Sequence, residues 1–183
     1  MAKVRQNIVI HGLSGSLGDQ LVIRQDKAGR TIVGAKPNFR PNRGFSDPQK
    51  THQQAFREAA AYAQAVKDQP IYINKAAGTP LNPYNVAMAD WFHAPEILDM
   101  DLSGWNGQAG QVIRVKAVDD VLVKQVSVVI SDKNDAVLEQ GAAKSVDGLW
   151  WEYATTTAAA GGCKVLASAQ DLPGHTAEMT KTK

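Results

Sequence analysis

The sequence predicts an α+β protein in which an N-terminal β-hairpin and helices precede an all-β sandwich. Val126, Val128 and Ile130 occupy every second position, which is the period of a strand with one buried face. Turn-forming segments such as residues 131–135 recur roughly every 8 to 12 residues through the second half, as in β-sandwiches. Helix-start signals occur only in the first half. These observations together predict the order hairpin, helices, sandwich.

The patterns divide the chain into residues 1–93 and residues 94–183. The first part holds the hairpin, a basic arm and the helical region, and the second holds the sandwich. With 183 residues and 44% hydrophobic residues, the chain can bury one core or two small ones. Residues 1–50 carry nine Lys or Arg against three Asp or Glu, whereas the remainder carries eleven against fifteen. This asymmetry favours head-to-tail association of copies or contact with an acidic partner.

Short β segments open the chain. Residues 7–11 form an apolar run that predicts a strand, and a glycine-rich segment follows it. Residues 19–25 and 30–33 alternate around a turn at residues 26–29, which predicts a hairpin. A phosphate-binding loop needs a Gly-Lys-Ser/Thr ending before a helix, whereas these glycines precede a hairpin. We therefore interpret the glycines as a β connection.

Residues 36–45 predict an extended arm, because two prolines and a glycine interrupt any helix or strand ladder. Cations alternate here with aromatic rings. Such a pattern suits packing across the same or a neighbouring subunit, and it also suits single-stranded nucleic acid, whose bases stack on rings. The residues concerned are Lys36, Phe39, Arg40, Arg43 and Phe45.

Capping residues predict the helices that follow. Ser46 and Gln49 form a capping box around Pro48, and the helix should run to about Asp68. A short helical turn is expected at residues 71–77, and a further helix from Asn82 to before Pro95. The apolar face of the first helix comprises Phe56, Ala59, Ala60, Ala63 and Val66, and that of the last comprises Tyr84, Ala87, Met88 and Trp91.

Residues 112–119 and 163–171 are similar strand-like segments that bracket the second half. Between them, alternation puts Leu149, Trp151 and Tyr153 on one face and Trp150 on the other. The motifs at residues 113–120, 123–130, 148–152 and 169–174 resemble those of bacterial immunoglobulin-like or fibronectin-like modules. The resemblance covers about half of the chain and implies an immunoglobulin-like sandwich rather than an activity.

The first half resembles an uncharacterised bacterial class. The shared pattern is Ser-Gly-x-x-Gly at residues 14–18, a hairpin, a proline-containing arm, Gln-x-x-Phe-Arg at residues 53–57, and an asparagine-bearing helix at residues 84–91. This resemblance implies an architecture and no activity.

No motif predicts catalysis, a cofactor or a metal. The four histidines are far apart, and the one cysteine, Cys163, lies in a strand where a buried thiol is expected. Asp119, Asp120 and Asp171 end two strands, and they either converge on a cation or cap their own turns. We therefore expect a non-enzymatic protein without a cofactor.

The favoured hypothesis is a structural subunit that self-associates into a homo-oligomer or filament, with strand exchange through its first strand and arm. A carbohydrate- or protein-binding sandwich with exposed Trp105 and Trp150 is the alternative, and nucleic-acid binding is a weaker one. We find neither a signal peptide nor a membrane span, and the location stays open between the cytoplasm and export by an unrecognised route. The candidate interface residues are Ile8, Val9, Ile10, Phe39, Arg40, Arg43 and Phe45.

Overall fold

A computed structural model describes residues 2–4, 12–38, 44–159 and 161–183, with the backbone alone for residues 2–4. The protein begins with a four-stranded antiparallel sheet in the order β1-β4-β3-β2. Its strands are β1 (Ala2–Val4), β2 (Gly15–Leu17), β3 (Leu21–Gln25) and β4 (Thr31–Ala35). The predicted hairpin is confirmed as β3 and β4. The strand predicted at residues 7–11 lies outside the described residues.

The turn between β3 and β4 follows from its residue types. Asp26 Oδ1 accepts hydrogen bonds from the amides of Ala28 and Arg30, at 3.0 and 2.9 Å. Gly29 has a φ of 72°, a left-handed conformation that glycine adopts without steric cost. Strand β1 closes the sheet by pairing with β4 of its own chain.

Three helices follow: α1 (Asp47–Val66), α2 (Pro70–Ala76) and α3 (Pro83–Phe92). The predicted helix starts are confirmed, because the Ser46 amide donates to Gln49 Oε1 at 3.0 Å and Asn82 Oδ1 accepts from the Asn85 amide at 2.7 Å. Helix α1 ends two residues before the predicted Asp68.

The small residues of the α1 stripe are buried as predicted, but its aromatic member is not. Ala59 and Ala63 are fully buried, which lets α3 pack closely against α1. Phe56 was expected on the same stripe and is 52% exposed instead. The buried members of the stripe are thus alanines, and the phenylalanine ring stays at the surface.

The second half is a β-sandwich, as the alternating pattern predicts. Its two antiparallel four-stranded sheets have the orders β5-β6-β10-β9 and β12-β11-β7-β8. Inward-facing residues of both sheets form one core that includes Val126, Val128, Ile130 and Cys163, all at most 2% exposed. The strands are β5 (Glu96–Asp101), β6 (Val112–Val118), β7 (Gln125–Ser131), β8 (Val137–Ala142), β9 (Lys144–Ser145), β10 (Trp150–Ala154), β11 (Lys164–Gln170) and β12 (Thr176–Thr182).

Strand β10 confirms that one tryptophan of the pair is in the core. Trp151 and Tyr153 are buried, whereas Trp150 is half-buried on the opposite face. The prediction that Leu149 shares the buried face is wrong, since Leu149 is 47% exposed. Leu149 lies in the turn before the strand, where its amide donates to Asp147 Oδ1 at 2.9 Å. Strand alternation therefore does not apply to it.

A second apolar cluster joins the helices to one end of the sandwich. Val121 from the loop after β6 and Leu172 from the loop after β11 pack with residues of all three helices. This region, which we call the joint, therefore comprises the helices and the loops at residues 119–122 and 171–175. The chain division at residue 93 stays a prediction. The helical members are Tyr62, Ala63, Val66, Ile71, Tyr72, Ala76, Tyr84, Val86, Ala87 and Met88.

Candidate functional site

The N-terminal sheet contains few buried residues. Among its described residues only Ile23 and Thr31 are buried. Neither apolar core cluster contains a described residue of this sheet. Sheets in folded domains normally pack an apolar face against another layer. Within the described part of the chain, the sheet therefore packs into neither of the two apolar cores.

The register of the sheet puts four apolar side chains on one side, which we call the leucine face. Leu17 lies opposite Leu21, and Ile23 lies opposite Val33. Residues two apart on a strand share a face, so Leu21 and Ile23 join the two pairs. Leu17 is 62% exposed and Leu21 is 37% exposed. The leucine face consists of Leu17, Leu21, Ile23 and Val33.

The opposite side of the sheet carries a shallow apolar groove of about 210 Å³. Val22 pairs with Gly34 and Arg24 pairs with Ile32 across its floor. Both sides of the sheet are thus partly apolar, which is typical of a sheet covered on both faces. Ala35 and Pro37 also line the groove.

Six of the seven predicted interface residues lie outside the described residues. These are Ile8, Val9, Ile10, Phe39, Arg40 and Arg43. The seventh, Phe45, is 49% exposed and lines a surface groove of about 410 Å³ with Pro48, Gln49, His52 and Gln53. The prediction that these residues form an interface therefore stays a prediction, with Phe45 accessible as it requires.

Aromatic rings extend the Phe45 groove across the helices. His52 stacks against Phe92 of α3, with 6.0 Å between ring centroids. Phe56 lies one helical turn beyond His52 and is also exposed. Sequence reasoning missed the participation of His52 and Phe92, because their contact joins residues 40 positions apart in different helices.

The two tryptophans proposed for ligand binding differ in exposure. Trp105 is 1% exposed, so the expectation that it is exposed is wrong: it packs in the sandwich core. Trp150 is half-buried, and the Arg114 guanidinium lies 4.9 Å and the Lys116 ammonium 5.8 Å from its ring centroid. These cations occupy the ring face that would stack on a sugar.

The three strand-end carboxylates act as caps and ion-pair partners. Asp119 Oδ2 accepts from the amides of Val121 and Leu122, both at 2.9 Å. Asp171 Oδ1 accepts from the amides of Gly174 and His175, both at 2.6 Å. These bonds match the turn-cap alternative.

The third carboxylate, Asp120, ties the sandwich to the helices. Its Oδ2 lies 2.5 Å from His93 Nδ1, and its carbonyl accepts from Lys75 Nζ at 2.9 Å. No group of three or more metal-ligating side chains among the described residues fits a metal ion. The arrangement therefore supports a polar attachment between the helices and the sandwich.

A chain of buried hydroxyls leads from α1 to a buried carboxylate. The hydroxyls of Tyr62 and Tyr72 lie 2.5 Å apart, and Tyr72 donates to Asp90 Oδ2 at 2.6 Å. Tyr72 and Asp90 are fully buried. Burial, together with the hydrogen bonds to Asp90 and Tyr62, raises the pKa of Tyr72 above its usual range. The hydroxyls are therefore neutral donors near neutral pH.

The buried position also changes the acidity of Asp90. Burial raises its pKa, the Tyr72 hydrogen bond opposes this, and the nearby Asp119 and Asp171 raise it further, to about 6. The sequence analysis did not single out Asp90. A signal was present, because Asp90 lies three and four residues after Ala87 and Val86, on the buried face of α3.

A CopC structure and an engineered protein resemble the chain at low identity. No family model and no curated protein matches the chain. A CopC crystal structure from Methylosinus trichosporium OB3b is similar at 18% identity and a TM-score of 0.37, covering 48% of this chain and 88% of that one. An engineered protein is similar at 18% identity and a TM-score of 0.36, covering 54% of this chain and 26% of that one. Among the described helices, none is long and apolar enough to cross a membrane.

Proposed function

We propose that the protein is a non-enzymatic structural subunit that associates with copies of itself through its N-terminal sheet. The observation that carries this proposal is the exposure of Leu17 and Leu21 on the leucine face. Burying an exposed leucine side chain contributes about 1.5 to 3 kcal/mol, so copies that cover this face gain free energy. The short strand β2 is also the last strand of the sheet in the described part of the chain, and an edge strand can pair through its backbone with a strand from a neighbour.

Charge supports the same arrangement. The first 50 residues are basic and the remainder is acidic, so the N-terminal sheet of one copy attracts the rest of another. A contact between two different patches repeats from copy to copy and generates a ring or an open filament. The proposed assembly is therefore a ring or a filament. In the version with strand exchange, residues 7–11 of one copy also pair with a neighbouring copy.

The β-sandwich serves in this proposal as an immunoglobulin-like spacer. Labelling β5 to β12 as strands A, B, C, C′, D, E, F and G turns the two sheet orders into A-B-E-D and G-F-C-C′. Immunoglobulin domains have strands A, B, E and D in one sheet and C, F and G in the other. This agreement supports the immunoglobulin-like assignment made from the sequence motifs.

A charge on the leucine face tests the proposal. Leu17→Glu changes a side chain that is 62% exposed, so the subunit should still fold. The matched control is Leu149→Glu, which changes a 47% exposed leucine of the sandwich. Light scattering over a concentration series should show oligomers for the wild type and the control. Leu17→Glu should weaken association about 10- to 100-fold, as the loss of one buried leucine predicts.

Two results would overturn the proposal. The first is a wild type that remains monomeric at high concentration. The second is equal association of Leu17→Glu and the wild type. A monomer that binds single-stranded nucleic acid with a strong dependence on salt would favour the nucleic-acid alternative instead.

A further inference from the structure

Two buried carboxylate oxygens at the joint have no hydrogen-bond donor among the described residues. They are Asp90 Oδ1 and Asp119 Oδ1. The second oxygen of each group is engaged, by the Tyr72 hydroxyl and by two backbone amides respectively. Asp119 is close enough to Asp90 to raise the pKa of Asp90, both through its charge and through a side-chain hydrogen bond. Ionised carboxylates only accept hydrogen bonds, so two ionised groups would leave both oxygens unsatisfied.

We propose that Asp90 and Asp119 bind one proton between their Oδ1 atoms, and that this shared proton holds the helices against the β-sandwich. A protonated carboxyl group gains an O–H donor, and one O–H···O⁻ bond then satisfies both oxygens. Asp90 belongs to α3, and Asp119 belongs to the loop that carries Val121 into the apolar cluster of the joint. The shared proton thus links the two parts of the protein at their contact.

The surrounding charges favour retention of this proton. The basic side chains of the joint are engaged elsewhere, because Lys75 and His93 bind Asp120 and His175 binds Asp171. No described hydrogen bond or ion pair brings a cation to Asp90 or Asp119. The titratable groups that face the pair are Tyr62 of α1, Tyr72 and Lys75 of α2, His93 after α3, and Asp120, Asp171 and His175 of the sandwich.

The shift in acidity fixes the sign of the pH dependence. Because the pKa of Asp90 rises from 3.8 to about 6 on folding, the folded protein binds a proton that the unfolded chain releases. The stabilisation is complete below pH 3.8 and is lost as the pH rises through about 6. The folding equilibrium constant should therefore fall about tenfold between pH 5 and pH 7.5 because of this group alone.

Asp90→Asn tests the proposal, because an amide keeps a donor facing Asp119 at every pH. Chemical unfolding of the full chain at pH 5 and pH 7.5 gives the folding equilibrium constant at each pH. Between these two pH values, the constant of the wild type should fall by a factor about ten times greater than that of Asp90→Asn. The variant should equal or exceed the wild type in stability at pH 7.5. The matched control, Asp120→Asn, changes the exposed neighbouring carboxylate. Its folding equilibrium constant should fall between pH 5 and pH 7.5 as much as that of the wild type.

Histidines as a class titrate in the same range, so the double variant His93→Gln, His175→Gln separates their effect. The proposal requires that the folding equilibrium constant of this variant still fall by the tenfold factor assigned to Asp90 between pH 5 and pH 7.5. An equal pH dependence in the wild type and Asp90→Asn would overturn the proposal. For a variant that fails to fold, infrared spectroscopy of the wild type decides: a buried carboxylic acid band at pH 5 that is lost by pH 7.5 supports the shared proton, and its absence at pH 5 refutes it.

Discussion

At the scale of single residues, the buried carboxylate of Glu139 is stabilised by hydrogen bonds to both of its oxygens. Glu139 of β8 accepts from the Tyr153 hydroxyl at 2.6 Å, from the Thr156 amide and hydroxyl at 2.7 and 2.9 Å, and from the Thr157 amide at 2.9 Å. Burial raises its pKa, but these hydrogen bonds outweigh burial and leave the pKa below its usual value. The carboxylate thereby fixes the Tyr153 ring and the loop after β10.

The fixed ring makes Gly141 intolerant of a side chain. A Cβ at Gly141 would lie 2.8 Å from Tyr153 Cε2. Because Glu139 holds Tyr153 in place, Gly141→Ala should reduce the free energy of unfolding by about 1 to 3 kcal/mol in denaturant titrations. Gly161→Ala is the control, since a Cβ there would have no neighbour within 4 Å. Equal stabilities of the two variants would contradict this account of the ring.

Residue-level sequence patterns predict burial well inside strands and poorly at their ends. Val126, Val128 and Ile130 are buried as alternation requires. Leu149 is exposed because it precedes its strand, and the burial of Trp105 depends on loop packing that has no period. Asp90 was missed for a related reason: its partner Asp119 is 29 positions away, and only tertiary packing brings them together.

At the scale of elements, local capping chemistry explains why the helices start where they do. Ser46 with Gln49 and Asn82 with Asn85 form the hydrogen bonds that the sequence predicts. The sandwich strands likewise follow the alternating pattern, and turn residues behave as expected, since Asp135 adopts a φ of 64°. The contacts between elements did not follow from these local signals, because they depend on which faces meet.

The cap of α3 gives a quantitative prediction. Asn82→Ala removes the acceptor for the Asn85 amide and should reduce the free energy of unfolding by about 1 kcal/mol. The control is Asn85→Ala, which changes an exposed asparagine side chain three residues later and leaves the capped backbone amide in place. Because alanine favours helix more than asparagine does, this variant should be as stable as the wild type or slightly more stable. Thermal unfolding of both variants checks the difference. A cap variant as stable as the wild type would show that the cap contributes little to folding.

At the scale of the whole molecule, the protein combines a well-packed region with an incompletely covered one. The helices and the sandwich share apolar and polar contacts at the joint. The N-terminal sheet contributes no described residue to either core cluster and exposes Leu17 and Leu21 of its leucine face. In the proposed assembly, a second copy supplies the missing layer over this face.

Amide hydrogen exchange at several protein concentrations tests self-association most directly. The account predicts that amides of β3 and β4 become more protected as concentration rises, while the central sandwich strand β11 exchanges equally slowly throughout. Light scattering on the same samples should show the mass increasing over the same range. Exchange in β3 and β4 that is independent of concentration, in a sample of constant monomer mass, would contradict the account.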